Sequence, residues 1–181
     1  MKVLATSIPG LLVIEPKVFG DDRGFFFESF NEKVWRQLTG LDGRFVQDNH
    51  SKSGENVLRG LHYQLCQPQG KLVRVVSGEV YDVAVDIRRS SPTFGKWEGC
   101  YLSAANKRQF WVPAGFAHGF LVVSDHAEFL YKTTDYYAPE FERCIAWNDA
   151  DLAIDWPLVG EPILSPKDVA GKLFRDADCF E

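Results

Sequence analysis

Two stretches of the sequence decide its fold: Arg59-Gly60-Leu61-His62-Tyr63-Gln64 and Pro113-Ala114-Gly115-Phe116-Ala117-His118. Proline and glycine make the start of the second stretch a turn. The residues that follow place Phe116, His118 and Phe120 on one side of a β-strand, because successive side chains of a strand point to opposite faces. A histidine between two phenylalanines on such a strand is more often a buried core residue than a functional one. The local pattern alone therefore predicts a strand and not a site.

Further short strands fill the middle of the chain around these stretches. The same alternation places two sets of side chains on single strand faces: Tyr81, Val83, Val85 and Ile87, and then Phe129, Tyr131 and Thr133. Turn-forming residues separate the strands at Ser77-Gly78, Ser90-Ser91-Pro92 and Ser124-Asp125. Many short strands at this spacing favour a barrel or a double-sheet jelly roll. The fold class is thus mainly β, in one domain that spans residues 1–181.

Two short helices are predicted beside the strands. Asn31 is a suitable N-cap for a helix that ends before Gly40. A second helix begins at Ser165 with Pro166 at its first position, and Asp168 completes a capping box three residues after the cap. This capping role alone is enough to explain an aspartate at position 168.

Composition excludes several classes of function. The 181 residues are 45% apolar and 25% charged, and their net charge is −5, which disfavours nucleic acid as the main partner. No apolar stretch approaches the length of a membrane span, and the first residues form too short an apolar run for a secretory signal, so we expect no membrane partner. The cysteines show no CxxC pairing, which predicts reduced thiols in a cytoplasmic protein; they are Cys66, Cys100, Cys144 and Cys179.

The spacing of the two opening stretches resembles the metal-binding frame of the cupin barrels. That frame has a His-x-His pair, a Glu shortly before a Gly, and a later Pro-x-Gly-x-x-His. Here Gln64 replaces the second histidine of the pair, and Lys71 stands where the glutamate would be. Since a cation at neutral pH cannot serve as an anionic ligand, the resemblance implies a cupin-like double-stranded β-helix, a jelly-roll barrel with a few short helices, that holds no metal. It leaves His62, Lys71 and His118 facing one cavity, equipped to move a proton and to hold a developing anion.

Longer motifs narrow the resemblance to one family. They are Gln47-Asp48-Asn49, Leu58-Arg59-Gly60-Leu61-His62-Tyr63-Gln64, Gln69-Gly70-Lys71, Ser91-Pro92-Thr93-Phe94-Gly95, Trp111 to Phe120, Leu130-Tyr131-Lys132-Thr133-Thr134 and Ile154-Asp155-Trp156-Pro157. In these motifs the chain resembles the dTDP-4-dehydrorhamnose 3,5-epimerases from about Arg23 to Asp168. The resemblance implies inversion of C3 and C5 of dTDP-4-dehydro-6-deoxy-D-glucose to give dTDP-4-dehydro-L-rhamnose, in dTDP-L-rhamnose biosynthesis. No cofactor is implied, because the substrate arrives already oxidised at C4.

The resemblance also implies a role for each catalytic residue. His62 resembles the base, and Asp168 resembles the partner that orients it. Tyr131 resembles the acid on the opposite face of the sugar. Lys71 would stabilise the enolate oxygen. From the local pattern alone, Tyr131 would instead fill the barrel and Lys71 would be a solvated strand end.

A larger set of residues is implied in binding the nucleotide sugar. His118 would lie near the reacting oxygen, and Tyr137 would stack on thymine. The others would contact the dTDP or the sugar: Arg23, Glu28, Gln47, Asp48, Asn49, Arg59, Lys71, Glu142 and Lys167. Arginine suits a diphosphate because its planar fork can donate two hydrogen bonds to one phosphate. In this family the segment with Arg23 and Glu28 reaches the partner subunit, which implies a homodimer with shared sites.

Three other functions remain open at this point. A metal-dependent cupin oxygenase or isomerase would share the fold, but Gln64 and Lys71 disfavour it. A non-catalytic nucleotide-sugar-binding barrel would not need an acid and a base on opposite faces. A related dTDP-sugar epimerase that acts at C3 only or at C5 only would share most of these residues, so the sequence does not separate it from the double epimerase.

Overall fold

The computed structural model describes residues 1–42 and 44–181. Its strands are β1 (Lys2–Ala5), β2 (Leu12–Glu15), β3 (Val18–Asp21), β4 (Gly24–Phe27), β5 (Gln47–Gly54), β6 (Leu58–Gln64), β7 (Lys71–Ser77), β8 (Glu79–Asp86), β9 (Trp97–Ser103), β10 (Gln109–Val112), β11 (Phe116–Val122), β12 (His126–Thr133) and β13 (Glu142–Cys144). The α-helices are α1 (Glu32–Thr39) and α2 (Pro166–Val169), and short 3₁₀ turns span Pro139–Phe141 and Phe174–Asp176.

The strands form two main antiparallel sheets. A six-stranded sheet has the order β1-β2-β10-β7-β12-β5, and a five-stranded sheet has the order β13-β6-β11-β8-β9. Neighbours in these sheets are mostly distant in sequence, as in a jelly roll, where the chain crosses repeatedly from one sheet to the other. The predicted mainly β, cupin-like fold is confirmed.

The apolar core lies between the two sheets and follows the alternation seen in the sequence. On β8, Val80 and Ala84 pack in this core with Phe120 of β11 and Phe129 of β12. The intervening residues of β8, such as Val83, pack in a second cluster on the outer face of the five-stranded sheet. Both faces of the strand are thus covered, which is why its apolar residues are buried on either side.

Different segments cover the outer faces of the two sheets. Trp35 of α1 packs with Ile14, Leu72 and Trp111 on the six-stranded sheet. The chain after β13 covers the five-stranded sheet with Ile145, Leu152, Trp156, Ala177 and Phe180. This C-terminal covering segment therefore passes behind the strand that carries His62.

Both predicted helix caps are present. The Asn31 side chain accepts a hydrogen bond from the Val34 N–H, and Gly40 ends α1 with φ of 69°. Ser165 and Asp168 form the predicted capping box at α2. In the described residues, none of the helices combines the length and the apolar character needed to cross a membrane.

The hairpin β3–β4 stands apart from the two main sheets. Its aromatic side chains are exposed, including Phe19 at 54%, Phe25 at 63% and Phe26 at 70%. An apolar patch of this kind on a protein surface commonly marks an interaction site.

Candidate active site

A cavity of about 580 Å³ opens between the two sheets. Residues that the sequence analysis assigned to catalysis or substrate binding line much of it: Arg59, His62, Lys71, His118, Tyr131, Tyr137, Glu142, Lys167 and Asp168. His62 on β6 and His118 on β11 come from the five-stranded sheet, while Lys71 on β7 and Tyr131 on β12 come from the six-stranded sheet. The fold therefore brings these side chains together from two opposite walls.

His62 lies beside a buried carboxylate. Its Nε2 atom is 2.9 Å from Oδ1 of Asp168, which is 2% exposed, while the His62 side chain is 27% exposed to the cavity. The two atoms are close, but the direction of the ring N–H does not meet the geometry of a well-aligned hydrogen bond. A carboxylate beside one ring nitrogen fixes the tautomer and leaves the other nitrogen able to accept a proton.

Asp168 is held by more than His62. Its Oδ1 accepts a hydrogen bond from the Gly60 N–H at 2.9 Å, and its Oδ2 accepts bonds from the Ser165 N–H at 3.0 Å and the Ser165 hydroxyl at 2.5 Å. Burial acts to raise the pKa of Asp168, but His62, Ser165 and the Gly60 N–H together hold it well below its usual range. The capping role and the contact with the base thus belong to the same carboxylate.

Gly60 contributes to this geometry through its backbone. Its φ is 133°, and a Cβ atom there would lie 2.5 Å from the Cα of Gly119 on the neighbouring strand. No residue with a side chain fits so close an approach. Glycine at position 60 therefore lets β6 and β11 approach closely while its N–H supports Asp168.

A second histidine–carboxylate pair lies deeper in the cavity wall. Nε2 of His118 is 2.8 Å from Oδ1 of Asp82, and both residues are buried. Burial raises the pKa of Asp82, against the opposing effects of His118 and Lys71. Asp82 was not among the site residues predicted from the sequence. Its position was the available signal, because Asp82 alternates with Tyr81 and Val83 and so shares the inner face with Val80, where charged residues are rare.

The charge of Lys71 also acts on this pair, because it lowers the pKa of Asp82. Its Nζ donates to the backbone carbonyl of His62 at 3.4 Å. Burial lowers the pKa of Lys71 to about 8, and the carboxylates of Asp82 and Glu142 limit the decrease. Lys71 is thus mainly protonated at pH 7, but it loses its proton at a lower pH than an ordinary lysine does.

Tyr131 lies on the opposite wall from His62. Burial raises the pKa of its hydroxyl, and the nearby Arg59 acts in the other direction. The phenol is therefore protonated at neutral pH and can donate a proton. Its ring packs against Phe129 with a centroid separation of 6.0 Å, so the residue also fills the barrel, as its local sequence suggests.

Three further predicted residues form a polar cluster at the cavity. The Tyr137 hydroxyl donates to Oε2 of Glu142 at 3.0 Å, and Nζ of Lys167 is 2.5 Å from the same oxygen. Burial acts to raise the pKa of Glu142, but Lys167 and Tyr137 lower it overall. Tyr137 is 47% exposed, so its ring is available to another aromatic group.

The remaining predicted binding residues lie outside this cavity. Gln47 bonds to the Tyr137 N–H at 3.1 Å, which places it near the cavity's edge. Asp48 pairs with Lys132 at 2.9 Å and lines a smaller cavity of about 160 Å³ together with Asn49 and Tyr131. Farther away, Arg23 pairs with Asp21 in the exposed hairpin, and Glu28 accepts a hydrogen bond from Asn31.

Metal binding is disfavoured by the donor chemistry of the cavity. Among the described residues, ligand atoms of His62, Cys144 and Asp168 lie within 4.8 Å of one another. A metal ion there would have to displace the proton of the Cys144 thiol, whose pKa burial raises to about 12, and both oxygens of Asp168 already accept hydrogen bonds. The prediction of a metal-free site rests on Gln64 and Lys71, which stand in place of two metal ligands of the cupin frame.

Comparisons with known proteins give a consistent result. The family model for dTDP-4-dehydrorhamnose 3,5-epimerase matches residues 5–176. A dTDP-4-dehydrorhamnose 3,5-epimerase of Pseudomonas aeruginosa is 64% identical over 180 residues, covering 99% of each chain. One of Shigella flexneri is 63% identical over 182 residues, again with 99% of each chain covered. A crystal structure of dTDP-6-deoxy-D-glucose-3,5-epimerase from Legionella pneumophila, in complex with dTDP-4-keto-L-rhamnose, is 59% identical with a TM-score of 0.96, covering 98% of this chain and 94% of that one.

Proposed function

The chain belongs to the dTDP-4-dehydrorhamnose 3,5-epimerase family, and from that premise we propose that His62 and Tyr131 act as base and acid on opposite faces of a bound sugar. The chain is an isomerase that converts dTDP-4-dehydro-6-deoxy-D-glucose into dTDP-4-dehydro-L-rhamnose. The observation that carries the assignment is topological. His62 enters the cavity from the five-stranded sheet and Tyr131 from the six-stranded sheet.

The chemistry of inversion requires this opposition. C3 and C5 both adjoin the C4 carbonyl, so removal of either proton gives an enolate. If the same face were reprotonated, the original configuration would return. His62, with Asp168 beside it, removes the proton, and Tyr131 supplies one to the other face.

Stabilisation of the enolate falls to hydrogen-bond donors of the inner wall. Lys71 is mainly protonated near neutral pH, and His118 beside Asp82 is a second group able to donate toward an oxygen. Such donors contribute most in a cavity from which water is largely excluded. Asp82 holds the imidazole ring of His118 in place, which makes it a positioning residue.

Nucleotide binding is assigned to the cavity's polar edge. Arg59 lines the cavity and can donate to the diphosphate, and Tyr137 presents an exposed ring to thymine. Glu142 and Lys167 hold the Tyr137 hydroxyl and complete this edge. Gln47 supports it from the neighbouring strand.

A homodimer accounts for the residues that lie outside the cavity. The hairpin β3–β4 presents exposed phenylalanines beside Arg23, and Glu28 follows directly after it. Contact with a second copy would cover the apolar hairpin and could carry both charged residues to the partner's site. Residues 1–181 would then act as one domain per subunit.

The free thiols of the four cysteines support a cytoplasmic location.

The test of the function is isotope incorporation. The protein is incubated with dTDP-4-dehydro-6-deoxy-D-glucose in deuterated water, and the product is analysed by NMR. Inversion at both centres requires solvent deuterium at C3 and at C5. Label at one carbon only would indicate the single-position alternative, and label at neither would remove the assignment.

A further inference from the structure

Gln64 occupies the position at which the cupin frame has a metal-ligating histidine, and its amide is engaged elsewhere. The residue lines the active-site cavity and is 5% exposed. Its Nε2 donates to the backbone carbonyls of Gln67 at 2.9 Å and Tyr136 at 3.2 Å, and its Oε1 accepts from the Ala138 N–H at 3.0 Å. Both heavy atoms of the amide are therefore bonded to backbone.

These bonds join two loops at the edge of the cavity. Residues 65–70 connect β6 to β7, and residues 134–138 follow β12. The loops are also paired directly, since the Gly70 N–H donates to the Thr134 hydroxyl at 2.8 Å and the Thr134 N–H donates to the Gly70 carbonyl at 3.0 Å. Gln64 adds a buried bridge from the strand that carries His62.

The bridge holds the backbone on both sides of Tyr137. The Gln64 side chain bonds to the backbone of Tyr136 and Ala138, the two neighbours of Tyr137 in the chain. The Gln47 side chain accepts a hydrogen bond from the Tyr137 N–H itself. Three successive residues are thus fixed through side-chain amides. The backbone of Tyr137 is thereby tied to β6, the strand that carries His62, while Glu142 and Lys167 hold the hydroxyl at the end of its ring.

We propose that Gln64 is a positioning residue that sets the place of Tyr137 for the base of a nucleoside diphosphate. The proposal rests on the proposed function in one respect, namely that Tyr137 stacks on the base. Loss of the amide would free the 134–138 loop and raise the entropic cost of stacking. We expect the effect to fall on nucleotide binding, because the hydrogen bonds that the structure gives for the Gln64 side chain all go to the backbone of the two loops.

The experiment measures dTDP binding by calorimetry, without turnover. We expect Gln64→Ala to weaken dTDP binding about tenfold, the size of one hydrogen bond. The same substitution in a Tyr137→Ala background should change the affinity by less than about twofold, since a coupled pair is not additive. The affinity for inorganic pyrophosphate, which has no base, should stay constant in all variants.

A matched control and a second variant complete the design. Asn106 also has a side-chain amide that bonds only to backbone: it donates to the Tyr101 carbonyl at 2.9 Å and accepts from the Ser103 N–H at 3.1 Å and the Arg108 N–H at 2.9 Å. It lines neither of the two cavities described above, so Asn106→Ala should leave dTDP affinity unchanged. If Gln64→Ala does not fold, Gln64→Met keeps the approximate size of the side chain without charge and without the hydrogen-bonding amide, and it should show the same selective loss.

Three results would overturn the proposal. The first is an unchanged affinity for dTDP in the Gln64 variants. The second is an equal loss in the Tyr137→Ala background, and the third is an equal loss for pyrophosphate. Either of the last two would mean that Gln64 does not act through Tyr137. Because no turnover is measured, a failure of the epimerase assignment would appear in the isotope experiment and not here.

Discussion

Lys71 lies in the cavity wall, where burial and nearby carboxylates act on it in opposite directions. Burial favours the neutral amine, whereas Asp82 and Glu142 favour the cation, and the resulting pKa is about 8. The enolate is stabilised by the protonated form, so activity should be retained below pH 8 and should fall as the pH rises through this value. The measurement is the pH dependence of kcat.

Substitution separates this effect from other titrations. Lys71→Arg keeps a positive charge that does not titrate in this range, so any activity it retains should no longer fall near pH 8. Lys71→Ala should lower kcat by about 10²–10³ with little change in dTDP affinity. A decline near pH 8 that persists in Lys71→Arg would assign the titration to another group.

The base and the acid should also be separable. His62→Ala removes proton abstraction, so exchange of substrate protons with solvent and turnover should both fall by about 10²–10⁴. Tyr131→Phe leaves the base in place and should still exchange protons while making little inverted product. Both rates are measured by NMR in deuterated water, and normal turnover by Tyr131→Phe would assign the acid to a different group.

Helix α2 links stability to catalysis through Ser165. Its side chain caps the helix and bonds to Asp168, which lies beside His62. Ser165→Ala should lower the free energy of unfolding by about 1 kcal/mol and should lower kcat several-fold, because Asp168 loses a hydrogen-bond donor. Ser165→Thr retains the hydroxyl and is the control. Thermal unfolding and kcat are compared, and a kcat unchanged in Ser165→Ala would make the cap purely structural.

The strands and helix caps were predictable because they depend on local patterns. Alternation identified β8, β11 and β12, and side-chain chemistry identified the caps at Asn31 and Ser165. The pair of His118 and Asp82 was not predictable in this way. His118 aligns with Ala84 and Phe120 with Asp82, so the contact depends on the register between two strands, which no single segment specifies. The hydrogen bonds from the Gln64 side chain to Tyr136 and Ala138 depend likewise on a loop that is distant in sequence.

At the scale of the whole molecule, we expect activity to depend on the association of two copies of the chain through the exposed hairpin β3–β4. Phe26 is 70% exposed, and a charge at this position would oppose burial of the hairpin against a second copy. Phe26→Asp should therefore shift the protein from dimer to monomer and lower kcat/KM. Light scattering with chromatography gives the mass. Lys2→Asp, at an exposed site on β1, is the matched control. A fully active Phe26→Asp monomer would contradict shared sites.

The bond from the Gly60 N–H to Asp168 joins residues 108 positions apart in the chain. Closing so long a loop costs entropy, and contacts of this kind form late when a chain refolds from denaturant. Strand pairings that are closer in sequence, such as β8 with β9, should form before this contact. Part of the far-ultraviolet signal should therefore return before catalytic competence, which returns only after the C-terminal covering segment has docked. Recovery of both signals at the same rate, at a protein concentration that keeps association fast, would show that the two form in a single step.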